Sequence, residues 1–306
     1  MLNSPRRRSW AARSTRWRVR YLWGVSPKAA ARSVLLEKAL RRALEQNSFS
    51  LVYQPQFMAG GGLRGFEALL RLDDEVLGPI SPGEFIKVAE EIGLIVPIGE
   101  WVLREACRQR VAWLVEGSSA ASIAVNVSPI QLKSGDFPAL VRKVLAQTGM
   151  PAELLELELT ETGIFVNSHD ILLKMKAIGV RISVDDFGTG FSSLSSLHRA
   201  PVDCVKIDRS FVRDAASTPG TLPFIRTIVS LARSLGMKTV AEGVETIGQM
   251  EAVKSAGCDF LQGYLLARPL AAANAARLLR DWREGRHAQE ETPHAYEPES
   301  LVGAPV

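Results

Sequence analysis

In 306 residues the chain has only three cysteines, Cys107, Cys204 and Cys258, and four histidines, His169, His198, His287 and His294. An odd, widely spaced cysteine set argues against a disulfide framework or a zinc motif and points to a reducing compartment. No two histidines stand at metal-ligand spacing, so all four read as surface or packing residues. Long apolar runs are also missing: none reaches the roughly 18 residues of a membrane span. Near the N-terminus, Tyr21-Leu22-Trp23-Gly24-Val25 is too short for the apolar core of a secretory signal. The expected location is the cytoplasm.

The net charge of +4, with pI near 9.0, is unevenly distributed. Residues 1–32 hold Arg6, Arg7, Arg8, Arg13, Arg16, Arg18, Arg20, Lys28 and Arg32 and no acid; removing these nine charges from +4 leaves −5 for the rest. The body is acidic, which argues against a DNA or RNA polymer as partner. Residues 1–32 read as a basic leader or linker, expected to be disordered. Trp10, Trp17 and Tyr21 could share a helical face suited to an anionic membrane surface, but Pro5, Gly24 and Pro27 interrupt it.

The whole chain is 46% hydrophobic, and beyond the leader it alternates strand with helix. A helix is expected over residues 33–46, leading to a strand over 50–56. Ser81-Pro82-Gly83-Glu84 reads as a helix start, with Ser81 as N-cap, Pro82 first in the helix and Glu84 reaching back. Further helices are expected near 98–116, 136–148, 169–178, 222–235, 246–256 and 271–283, and strands at 122–127, 154–160, 180–185, 203–207, 237–241 and 259–262. Such alternation predicts a mostly parallel sheet covered by helices. Repetition toward eight strands favours closure into a (β/α)₈ barrel, which typically takes about 250 residues. Residues 33–285 would form the barrel, and the polar stretch 286–306 a disordered tail.

Where the short apolar runs end, polar residues of a restricted kind appear. Glu67 follows Leu63-Arg64-Gly65-Phe66, and Asn126 follows Ser122-Ile123-Ala124-Val125. Glu158 lies in Leu154-Leu155-Glu156-Leu157-Glu158-Leu159-Thr160-Glu161, and Asp185-Asp186 follows Val180-Arg181-Ile182-Ser183-Val184. Lys206 follows Cys204-Val205, Glu242 follows Thr239-Val240-Ala241, and Gln262 follows Phe260-Leu261. Barrels of this class build active sites at the C-terminal rim of their strands. Acids and amides without histidine suit a hard, oxygen-seeking cation. Adjacent acids such as Asp185-Asp186 are costly unless cations neutralise them. Two ions about 3.5–4 Å apart would form a clamp for phosphoryl chemistry. Lys206 could then hold a water or offset phosphate charge, with Glu242 a candidate base. Spacing alone also fits a magnesium-assisted proton abstraction.

Glu67-Ala68-Leu69-Leu70-Arg71 resembles the signature of the EAL family of bacterial cyclic di-GMP phosphodiesterases. Tyr53-Gln54-Pro55, Asn126-Val127-Ser128, Glu158-Leu159-Thr160-Glu161, Asp185-Asp186-Phe187-Gly188-Thr189-Gly190, Lys206-Ile207-Asp208, Ala241-Glu242-Gly243-Val244-Glu245-Thr246 and Gln262-Gly263-Tyr264 resemble further family motifs, in the family's order. The resemblance spans roughly residues 35–283.

It implies a modified TIM barrel, an α/β fold whose first barrel strand runs antiparallel to the rest. It also implies two Mg²⁺ or Mn²⁺ ions, a cyclic di-GMP substrate hydrolysed to linear pGpG, and a homodimer. By position, Glu67, Asn126, Glu158 and Asp185 match metal ligands, with Asp185 the bridge, and Asp186 matches the second-metal acid. Lys206 matches the lysine that contacts the catalytic water, Glu242 the base or water-orienting acid, and Gln262 a support of the metal–water network. Gln54, Leu70 and Arg71 match positions lining the dinucleotide, Arg71 with a rigid fork for phosphate. Glu161 reads either as a residue at the next helix start or as the family anchor of the loop after Asp186. Glu245 reads as a helix-start acid or as a family position behind the ligands. Leu72, where the family usually has a larger residue, and the acidic stretch 73–80 are expected at the substrate mouth.

A non-catalytic cyclic di-GMP receptor, signalling through the helix at 33–46, is the competing class. Retention of every matched ligand position argues against it. Membrane tethering through the leader could accompany either.

Overall fold

The computed structural model describes residues 27–115, 121–166, 169–189 and 194–284. The expectations for the leader before Pro27, for Glu116, for Gly190 and for the tail 286–306 lie outside the described residues.

Strands β1 (Phe49–Met58) and β2 (Leu63–Asp74) form an antiparallel pair. From β2 the sheet continues in parallel through β4 (Ser122–Val127), β5 (Leu155–Thr160), β6 (Arg181–Phe187), β7 (Cys204–Ile207), β8 (Lys238–Ala241) and β9 (Phe260–Leu261). β9 then pairs antiparallel with β1, at Phe57↔Leu261 and Met58↔Phe260, and closes an eight-strand barrel. β1 is thus the one strand antiparallel to both neighbours, as the resemblance implied. The short β3 (Gly78–Ile80) pairs only with β2 and lies outside the ring.

Two-residue periodicity decides what faces where. In β5, Leu155, Leu157 and Leu159 are fully buried in the hydrophobic core, while Glu156 and Glu158 bond to side chains of β2 and β7. Ile182 and Val184 alternate with Ser183 and Asp185, and Val205 and Ile207 with Cys204 and Lys206. The apolar core therefore lies between the sheet and its helices, and the barrel's interior holds the buried charged and amide side chains together with Ala124, Cys204, Val240 and Phe260. Burying each large aliphatic side chain contributes about 1.5–3 kcal/mol, which carries the cost of the buried charges inside.

The covering helices are α1 (Pro27–Gln46), α2 (Pro82–Glu91), α3 (Ile95–Val115), α4 (Pro129–Lys133), α5 (Phe137–Thr148), α6 (Glu161–Val166), α7 (His169–Ile178), α8 (Leu194–Arg199), α9 (Arg209–Asp214), α10 (Thr221–Ser234), α11 (Ile247–Ser255) and α12 (Ala272–Arg283). Local chemistry sets several ends. Asp136 caps α5 through the Ala139 N–H, and Thr246 and Gln249 form a reciprocal capping box at α11. Among the described residues, the four helices of five or six residues, α4, α6, α8 and α9, follow strand ends and are too short for helical periodicity to reveal. Among the described residues no helix is long and apolar enough to cross a membrane.

Three local expectations are corrected. The first helix begins at Pro27, six residues before residue 33, so Arg32 is helical. Glu84 does not reach back to Ser81: it accepts two bonds from Arg32, at 2.7 and 3.0 Å. A charged bidentate fork outcompetes a neutral backbone donor. Leu72 is not a mouth residue: it is buried in the core, in register with Phe49 and Ile80. Asp74 turns to Arg42 at 2.5 Å.

Candidate active site

At the C-terminal side of the barrel one ammonium is enclosed by four carboxylates. Lys206 Nζ lies 2.7 Å from Glu158 Oε2, 2.7 Å from Glu242 Oε1, 3.2 Å from Asp185 Oδ1 and 3.8 Å from Glu67 Oε2. The lysine is 1% exposed. The strand order explains the meeting: β5, β6, β7 and β8 are successive neighbours, and β2 faces them across a narrow ring.

Glu67 is gripped from two sides. Asn126 Nδ2 donates to its Oε1 at 2.6 Å, and Gln262 Nε2 donates to its Oε2 at 2.7 Å. Gln262 also donates to Gln54 Oε1 at 3.2 Å and accepts from Gln56 Nε2 at 2.9 Å. Glu67 does not end a strand. β2 runs on to Asp74, yet its pairing with β4 stops at Ala68, so Glu67 still stands at the rim. Gly65, two residues earlier, has no room for a side chain: a Cβ there would lie 2.3 Å from the Ser122 carbonyl oxygen.

Asp185 and Asp186 are consecutive, and a regular strand would send them to opposite faces. The β6–β7 register shifts between Val184 and Phe187, and Asp186 takes a left-handed φ of 54°. This irregularity brings carboxylate oxygens of Asp185, Asp186 and Glu242 within 4.8 Å of one another. Left-handed backbone at a residue other than glycine is strained and typical of functional sites.

Proton affinities follow from the crowding. Burial disfavours the Lys206 charge, but Asp185, Glu158, Glu242 and Glu67 outweigh it and hold the ammonium well above its ordinary value. Burial, reinforced by Glu67, drives Glu158 well above the carboxylate range. Burial also pushes Glu67 up, but Lys206, Gln262 and Asn126 pull it below its usual value. Burial raises Glu242 to about 8 against the pull of Lys206. Asp186 is raised by burial and by Asp185.

The donor set fits divalent cations. Glu67, Glu158, Asp185, Asp186 and Glu242, fully ionised against Lys206, would leave a charge of −4, which two divalent ions would cancel. Glu158 Oε1 is buried without a hydrogen-bond partner, an arrangement that is costly unless something binds it. All these donors are oxygens, the preference of Mg²⁺ and Mn²⁺.

The other expected residues surround this centre. Gln54 is buried and donates to the Ala267 carbonyl at 3.4 Å. Leu70 and Arg71 are half-buried, and Arg71 donates to the Leu70 carbonyl at 3.0 Å. Burial lowers Arg71 from its ordinary value, while Tyr264 and Glu67 favour its charge. Glu161 opens α6, and its Oε2 accepts a long bond, 3.4 Å, from the Gly188 N–H. Glu245 is exposed, is not among the Lys206 carboxylates, and gives its backbone N–H to Gln249 at 2.7 Å.

Sequence reasoning missed the polar layer beneath the site: Gln56, Arg64 and Glu156. Arg64 bonds to Gln56 and, at 2.5 Å, to Glu156 Oε2, and lies 4.3 Å from the Phe260 ring centre. The signal was present. Glu156 precedes Glu158 by two residues in β5, and Gln56 follows Gln54 by two in β1, so each pair shares a strand face.

Fold and site together define an α/β barrel protein whose rim carries an acid-and-amide cluster around a buried lysine, suited to divalent cations. The EAL domain family model matches residues 37–269, and the chain belongs to that family. MucR of Pseudomonas aeruginosa, a bifunctional diguanylate cyclase/cyclic di-GMP phosphodiesterase, is 45% identical over 237 residues, covering 76% of this chain and 35% of MucR. An uncharacterized signaling protein of Caulobacter vibrioides is 45% identical over 238 residues, covering 76% of this chain and 29% of its own. The chain thus spans about a third of the length of the curated relatives it matches. The solved structure of the PaMucR phosphodiesterase in complex with c-di-GMP has a TM-score of 0.76 and 44% identity, covering 79% of this chain and 99% of that one.

Proposed function

We propose that this protein is a metal-dependent phosphodiesterase that hydrolyses cyclic di-GMP to linear pGpG. The observation that carries the reading is the enclosure of Lys206 by Glu67, Glu158, Asp185 and Glu242, with Glu158 Oε1 left for a further partner. The similarity to a phosphodiesterase solved with c-di-GMP supports the substrate.

Glu67, Asn126, Glu158, Asp185 and Asp186 would hold two Mg²⁺ or Mn²⁺ ions. Bound there, the ions would supply a water of lowered pKa and a clamp on the transferring phosphoryl group. Glu242 is the acid suited to take the proton. Its side chain is 18% exposed against 0% for Glu158, so water reaches it while Lys206 holds it at 2.7 Å. Lys206 keeps its charge and can donate to the attacking water or to a non-bridging phosphate oxygen. Gln54, Leu70 and Arg71 would line the dinucleotide, with Arg71 opposing its phosphate charge. Glu161 would hold the loop after Asp186 through Gly188. Glu245 would act from behind the ligands.

The catalytic unit is the expected 33–285 barrel extended back to Pro27, where α1 begins, working as a homodimer in the cytoplasm. Free, buried Cys107, Cys204 and Cys258 accord with a reducing compartment. Incubation of the purified protein with cyclic di-GMP and Mg²⁺ or Mn²⁺, with an EDTA control and chromatography of the products, tests the reading. Metal-dependent pGpG is expected. Saturable binding without product would reject catalysis in favour of a receptor.

A further inference from the structure

The buried layer under the site contains a chain of hydrogen bonds with a single permitted direction. It starts at Arg64, whose guanidinium donates to Glu156 Oε2 and to Gln56 Oε1. Gln56 Nε2 donates to Gln262 Oε1 at 2.9 Å, and Gln262 Nε2 donates to Glu67 Oε2 at 2.7 Å. Arg64, Gln56, Gln262, Glu67 and Glu156 are each buried. An amide can ordinarily turn over and exchange its donor for its acceptor. Here one end of the chain is a guanidinium, which only donates, and the other is an ionised carboxylate, which only accepts. With both ends fixed, each amide has one orientation that leaves no like groups facing.

We infer that Arg64 and Gln56 are positioning residues for the metal centre: they polarise Gln262 so that its NH₂ group, not its carbonyl, meets Glu67. This rests on the reading of Glu67 as a metal ligand. The relay pins Oε2 of Glu67 from below while Asn126 pins Oε1 from beside it at 2.6 Å. Both oxygens are then aimed before any ion arrives, and the ordering cost is met by folding rather than by binding. Glu156 is the counter-ion that lets Arg64 stay charged inside the barrel.

Two substitutions at Gln56 separate polarity from packing. Gln56→Glu keeps the shape and gives Arg64 a second carboxylate, so a packing role tolerates it well. It removes the donor to Gln262, which must turn its NH₂ toward residue 56 and its carbonyl toward Glu67. Gln56→Met keeps the volume and loses both polar groups, but does not force Gln262 over. Mn²⁺ binding to the full chain is measured by isothermal titration calorimetry, with thermal unfolding as the control for folding and cyclic di-GMP turnover as a second readout. Mn²⁺ affinity should fall about 10–100-fold in Gln56→Glu and less in Gln56→Met. The turnover number should fall in the same order, with KM for cyclic di-GMP unchanged.

Gln56→Glu binding Mn²⁺ as tightly as the unsubstituted protein, or more tightly than Gln56→Met, overturns the relay and leaves the proposed function intact. Absence of Mn²⁺ binding in the unsubstituted protein overturns the metal reading itself, and the relay with it. That result is seen before any substitution is made.

Discussion

Lys206 Nζ and Glu158 Oε2 lie 2.7 Å apart at the C-terminal side of the barrel, with the lysine 1% and the glutamate 0% exposed in their side chains. A buried pair of this kind contributes little over an apolar pair, but losing one partner is expensive. Lys206→Met should therefore destabilise the metal-free protein by about 3–5 kcal/mol. Mn²⁺ should recover part of that loss, because an ion can take over the neutralising role. Urea unfolding with and without Mn²⁺ measures both; equal stability of the variant in the two conditions would contradict the cation-site reading.

Asp186→Asn offers a test that spares the backbone. Asparagine tolerates the left-handed φ of 54° that Asp186 adopts, so the fold should persist. The variant loses a carboxylate from the group formed with Asp185 and Glu242. Turnover of cyclic di-GMP should drop by at least about 100-fold, with an unchanged circular-dichroism spectrum. Near-normal turnover would remove Asp186 from the ligand set.

Gly65 is expected to be irreplaceable for a steric reason. A Cβ there would meet backbone atoms of Ser122 on the neighbouring strand, the carbonyl oxygen at 2.3 Å. Gly65→Ala should cost about 3 kcal/mol or more, because β2 must separate from β4 just before Glu67. Urea denaturation measures it; a change under about 0.5 kcal/mol would show that the strands can part freely.

Asp259 carries a pH-dependent share of stability. Burial would raise its pKa, but the Lys238 ammonium, at 2.8 Å, and the Thr239 N–H and hydroxyl outweigh it and hold the carboxyl below its usual range. A depressed folded-state pKa contributes stability above the unfolded value and loses it as pH falls through the folded one. Asp259→Asn should thus be less stable by about 1–2 kcal/mol at pH 7. The difference should shrink as pH drops below about 4. Unfolding curves at several pH values check the sign; a gap that widens in acid would refute it.

Much of the fold was legible because strand and helix periods differ. The Leu-Glu-Leu-Glu run of β5 announces a strand apolar on one face and acidic on the other. Strand and helix boundaries came within a few residues of expectation over most of the chain. β2 was read only as the short apolar run before Glu67, and the hairpin strand β3 and the four short helices did not emerge, since three to six residues hold too few repeats of any pattern.

By itself, then, the sequence determined which residues carry charge and that they follow short apolar runs: Glu67, Glu158, Asp185, Lys206 and Glu242 are readable one run at a time, although β2 continues past Glu67 to Asp74. Only the tertiary structure decided who meets whom. Asp186 joins Asp185 on one side because β6 is irregular there, which contradicts the pleat. Glu84 chooses Arg32 and Arg64 chooses Glu156, across 52 and 92 residues of chain. The first pairing depends on the packing of α1 against α2, and the second on the closure of the ring. Periodicity describes one element against its own axis, whereas a buried hydrogen bond depends on where a different element finishes its turn.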